Sequence, residues 1–183
     1  MPITQIDPVS ALIVIDLQNG IVAMNPEQAP AVVANSAKLI EAYRKRNLPV
    51  VLVNVAGLAP GRTSTPRYTG AFPPDWANLV SELNQQPTDI LITKKSFGAF
   101  LGTALDEELK KRNVTQVVFC GIATSIGIES SARSAYDLGY NVAFVEDAMA
   151  DLKPENHKHS IEVFFLRIGE IDTTENTLKL LQS

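Results

Sequence analysis

Asp16, Lys94 and Gly127 are the residues from which chemistry could be built, because each follows a short apolar run that reads as a β-strand. Ala11 to Ile15 leads into Asp16, Asp89 to Thr93 leads into Lys94, and Val117 to Cys120 leads into the turn before Gly127. In open parallel sheets the C-terminal ends of strands carry the ligands. A carboxylate placed there can move a proton, and a lysine beside it can hold negative charge that develops during reaction. A helix N-terminus adds free N–H groups and the positive end of a dipole. Plainer readings exist for each. Asp16 could be a turn or capping aspartate, and Lys94 with Lys95 could be a solvated pair after an edge strand. Position favours Lys94 over Lys95, directly after the apolar run, as a charge partner for Asp16. Gly127 asks for an explanation, since glycine early in a helix costs up to about 1 kcal/mol relative to alanine.

The elements that must position these residues read in order. Val117 to Asp147 is one βαβ unit: strand, tight turn, helix, second strand. Thr124 or Ser125 can cap the helix, Ala132, Ala135, Tyr136 and Leu138 form its apolar stripe, and Gly139 stops it. Upstream, Asn25-Pro26-Glu27-Gln28 predicts a helix start with Gln28 reaching back, running to Asn47, before a strand at Val50 to Val53. Thr103 and Asp106 mark another helix start. The last third adds a helix at Pro154 to Leu166, a strand at Ile168 to Ile171 and a terminal helix through Leu178, Leu180 and Leu181. Alternating strands and helices with short connections give the α/β class: one domain over residues 1–183, a parallel sheet between two helical layers. A strand order 3-2-1-4-5-6 would reverse the winding between strands one and four, opening a crevice where Asp16 meets the Gly127 turn.

Composition narrows the partners. A formal charge of −4 leaves no basic face for nucleic acid, and no apolar run approaches the roughly 20 residues that span a bilayer. The opening MPITQIDPVSALIVID has no signal-peptide pattern, so a cytoplasmic protein is expected. Cys120 is the single cysteine; within a buried strand it is expected to be an inert small hydrophobe. His157 and His159, two residues apart, face different directions on a helix and read as surface residues. The Gly- and Pro-rich stretch from Gly57 to Asp75 is long for a connection and suggests a lid or a poorly ordered loop. Its arginines, Arg62 and Arg67, could meet a substrate carboxylate or simply be solvated, and their roles stay open.

Three segments together, ALIVIDLQNG, TKKSFGAFLGT and CGIATSIGIESSARSAYDLGY, resemble the isochorismatase-like, or cysteine hydrolase, superfamily over nearly the whole chain. The resemblance implies a six-stranded parallel α/β/α fold and a homo-oligomer. It also implies a catalytic aspartate and lysine at Asp16 and Lys94, and a nucleophile position at 127, where this chain has glycine. A non-proline cis peptide would fall on Ile122-Ala123. Ile122, Ala123, Thr124, Ser125, Gln18 and Phe97 are then the candidates for substrate contact. Amidase members use a thiolate, which Gly127 cannot supply. Isochorismatases resemble this chain in carrying glycine there and cleave a vinyl ether by protonation. Nicotinamidases carry an Asp and His metal cluster, but no histidine precedes His157 here, so neither metal nor cofactor is expected. The reading is a hydrolase of a small, carboxylate-bearing metabolite acting through Asp16. The alternatives are a relative that only binds a small ligand and an oligomeric scaffold.

Overall fold

The computed structural model describes residues 1–65 and 70–182. Arg67 and Tyr68 therefore lie outside the described residues. Among those described, six strands form one parallel sheet: β1 Ser10–Ile15, β2 Val50–Val55, β3 Ile90–Lys94, β4 Gln116–Ile122, β5 Asn141–Ala150 and β6 Glu170–Asp172. Their order is β3-β2-β1-β4-β5-β6. Winding thus reverses between β1 and β4, as anticipated, and the ends of these two strands flank the crevice.

Strand alternation splits the core in two. Ala11, Ile13 and Ile15 of β1 and Val117 and Phe119 of β4 face one layer, which contains α3 (Leu105–Lys111) and α4 (Glu129–Asp137). Leu12 and Val14, with Val118, Cys120 and Ile122, face the other, filled by α2 (Ala29–Lys45) and edged by α6 (Thr174–Leu180). A single turn, α1 (Asn19–Val22), follows β1, and α5 (Pro154–His159) follows β5. Among the described residues no helix is long and apolar enough to cross a membrane.

Several local expectations need correction. The helix expected from Asn25 begins at Ala29, with Pro30 in its first turn, and Gln28 makes no capping hydrogen bond. Proline at 26 does not open the helix because proline at 30 does. Neither Thr124 nor Ser125 caps the helix after β4: the chain enters a π-helical turn, Thr124–Ile128, and both hydroxyls are engaged elsewhere. Ala132 and Ala135 of the expected stripe are buried, together with Ile128 and Ser131, whereas Tyr136 and Leu138 are 51% and 45% exposed. The segment after α5 continues as a π turn, Ser160–Phe164, and a 3₁₀ turn, Phe165–Arg167. Phe165 is fully buried against Phe144, ring centroids 3.8 Å apart, and belongs to the core.

Candidate active site

Asp16 leaves β1 with φ of +53°, a left-handed conformation that aspartate tolerates better than most residues. This turn lifts its carboxyl out of strand alternation and into the crevice. Next to it, Gly121 on β4 pairs with Ile15 at φ of +121°, and a Cβ there would fall 2.1 Å from the Ile15 carbonyl oxygen. The close approach of the two strand ends therefore requires glycine.

Lys94 comes from the other side. The strand expected to stop at Thr93 includes Lys94, whose side chain falls on the buried face with Ile90 and Ile92, while Lys95 is exposed. Lys94 Nζ donates to Asp16 Oδ2 at 2.8 Å and to the Ser96 carbonyl at 3.2 Å. Both partners are almost fully buried, the lysine 2% and the aspartate 5% exposed. The other carboxyl oxygen, Oδ1, has no hydrogen-bond partner among the described residues. Burial raises the Asp16 pKa to about 6, and the charge and hydrogen bond of Lys94 limit the rise. The result is a carboxyl able to hold a proton near neutrality and, through Lys94, to give it up.

Gly127 completes the floor. A Cβ at this position would lie 2.9 Å from Ile15 Cγ2 and 3.2 Å from Asp16 Oδ2. A side chain there would press on the carboxyl itself. The Ile122-Ala123 peptide is cis. Ile122, Ala123 and Gly127 line one wall of a cleft of about 500 Å³, and Phe97 lines another.

Gln18, Thr124 and Ser125 stand behind these walls. Gln18 is fully buried; its Nε2 donates to the carbonyls of Val55 and Trp76 at 3.1 and 3.2 Å, and its Oε1 accepts from Val55 N–H at 2.7 Å. It thereby ties the ends of β1 and β2 to the loop carrying Trp76. Ser125 donates its hydroxyl to Asp151 Oδ2 at 2.7 Å, and its N–H reaches the same oxygen at 2.8 Å. Thr124 Oγ1 lies 2.8 Å from His157 Nδ1. The expectation that His157 is a surface residue is thus corrected: it is half-buried, and burial lowers its pKa. His159 is exposed.

The aromatic residues of the long loop were missed as cleft residues. Phe72 and Trp76 stack with centroids 4.1 Å apart and line the opening. Gly20 makes this possible: a Cβ on it would sit 1.9 Å from Trp76 Nε1. Arg62 is exposed and does not line the cleft. Cys120 is fully buried in β4, and desolvation pushes its thiol up to about 12.

The isochorismatase domain matches residues 10–176. The chain belongs to the isochorismatase family. It is 43% identical over 178 residues to the uncharacterized isochorismatase family protein YwoC of Bacillus subtilis, covering 93% of each. An isochorismatase family protein from Burkholderia thailandensis superposes with a TM-score of 0.93 at 36% identity, over 98% of both chains. The ureidoacrylate amidohydrolase RutB of Variovorax paradoxus is 28% identical over 198 residues, with 89% of this chain and 79% of the relative covered. In this isochorismatase-family hydrolase an aspartate and a lysine are in contact at the crevice, beside a glycine.

Proposed function

We propose that this hydrolase cleaves a small metabolite by proton transfer from Asp16, without a cysteine nucleophile. The observation that carries the reading is the Asp16 carboxyl: buried, shifted upward by desolvation, one oxygen on Lys94 and the other unpartnered among the described residues. A carboxyl held near pH 6 is poised to act as a general acid at neutral pH. For a vinyl ether, Asp16 would protonate the terminal vinyl carbon, leaving an oxocarbenium ion. Water adds to that ion, and the resulting hemiketal collapses to a ketone and an alcohol. The carboxylate left behind is stabilised by Lys94 at 2.8 Å. A substrate carboxylate would find one cation lining the cleft among the described residues, Lys94. Turnover of matched vinyl ethers, esters and amides by the wild type tests the reading; amide hydrolysis alone would count against it.

A second reading is favoured by the amidohydrolase relative, but amide cleavage through an acyl-enzyme needs a nucleophile, and position 127 provides none. Gly127→Cys tests this assignment of the site. The new thiol would stand beside Lys94 and Asp16 at the start of a helix and is expected to alkylate faster than a free thiol in solution, with Cys120 unlabelled. The steric contact with Ile15 and Asp16 should also lower native turnover. Mass spectrometry after limiting iodoacetamide reads both cysteines. A thiol at 127 that labels no faster than N-acetylcysteine removes the position from the site. In the wild type, neither iodoacetamide nor a chelator is expected to inactivate.

A cytoplasmic, homo-oligomeric protein forms part of the same proposal. Tyr136, Leu138, Val163 and Leu166 are 45–53% exposed and offer apolar surface for a second copy. Light scattering at micromolar concentration is expected to give at least twice the 19.9 kDa chain mass; a monomer refutes it.

A further inference from the structure

The cleft is sorted by depth. At the floor, Asp16 and Lys94 are nearly inaccessible and are paired with each other. At the mouth, Met24, Leu58, Phe72, Phe97, Ile126 and Leu152 all line the opening, and each is between 39% and 56% exposed. Among the described residues no third charged side chain lines the cleft. Apolar side chains concentrated around one opening and left in water mark a surface that a ligand covers.

We infer that the site takes a one-ended substrate, with a single polar reacting group at the Asp16–Lys94 floor and an uncharged, largely apolar body against the mouth. The inference rests on the reading that the Asp16 floor is where the reaction occurs, and it narrows that reading to a substrate class. A charge or a row of hydroxyls on the outer half of the substrate would lose water against Leu58, Phe72 and Leu152 without gaining a charged partner among the described residues. A cyclic dicarboxylate of the isochorismate kind fits poorly, because among the described residues its second carboxylate has no cation lining the cleft to meet once Lys94 is engaged. An alkyl or aryl body meets largely apolar side chains, and the stacked Phe72–Trp76 pair gives a flat wall for a planar one.

Trp76 is the sole tryptophan of the chain and lines this wall, so its fluorescence reports occupancy without any need for turnover. Titration at pH 7.5 with butanamide, hexanamide and octanamide is expected to tighten about fourfold per added methylene, the equivalent of about 0.8 kcal/mol for each buried CH₂, until the cleft is filled. Adipamate, which is hexanamide with a carboxylate at its far carbon, is expected to bind at least about tenfold more weakly than hexanamide. A flat series, the absence of any saturable change, or adipamate binding as tightly as hexanamide overturns the inference. The same slope is expected in Asp16→Asn, whose mouth is untouched. Turnover retained in that variant sinks the acid role alone, whereas a flat slope with turnover lost sinks the apolar body alone.

Discussion

Asp16→Asn is expected to keep the fold and lower kcat/KM by about 10³-fold, within the range that a positioned general acid supplies. The amide has the shape of the carboxyl, and its oxygen can still accept from Lys94 Nζ, 2.8 Å away in the native pair. What it cannot do is hold and release the proton. Circular dichroism should therefore superpose on the wild type while turnover is lost, and a variant with wild-type kcat/KM would take Asp16 out of the mechanism. The raised pKa has a stability consequence of known sign. Between an ordinary carboxylate value of about 4 and about 6, the native state holds a proton that the unfolded chain has released. Asp16 therefore takes stability away as pH rises through that window, the opposite of a salt-bridged surface aspartate. In Asp16→Asn this part of the pH dependence should be absent.

Lys94→Ala is expected to cost about 10²- to 10³-fold in kcat/KM, because the conjugate base formed at Asp16 loses its stabilising cation. The variant separates a charge role from a packing role. Without Lys94 the two influences that restrain the Asp16 pKa are gone and desolvation acts alone. The falling limb of the pH profile should then move to higher pH as activity drops. Loss of a fully buried lysine side chain will also lower Tm through the cavity it leaves, but packing alone would not move the limb. Lys95→Ala, at the exposed position that follows β3, should stay within twofold of wild type. The reverse ranking of the two lysines would reassign the site.

The sheet was legible because its strands are apolar runs of the right length bounded by turn residues, and the reversal between β1 and β4 follows from an order common to such folds. Lys94 was legible by position, although the deciding fact is structural: the alternation of an edge strand runs two residues past its last apolar residue, Ile92. The π-helical turn after β4 was not legible, since nothing in TSIGI distinguishes it from a first α turn. His157 escaped for a related reason. Its spacing from His159 fixes only that the two face different ways, not that one of them meets the Thr124 hydroxyl across 33 residues of sequence. Phe72 and Trp76 sit in a loop without periodicity. Their place at the cleft depends on Gln18 holding the Trp76 carbonyl and on Gly20 making room for the indole, long-range relations with no local pattern.

The pH dependence of kcat/KM on the vinyl ether that turns over best bears most directly on Asp16 as the acid. The free enzyme must carry the Asp16 proton, so kcat/KM should be flat at low pH and fall tenfold per unit above an apparent pKa near 6. That limb should vanish from the residual activity of Asp16→Asn. A profile that instead rises through pH 6, with the deprotonated carboxylate as the active form, would contradict the account and make Asp16 a base.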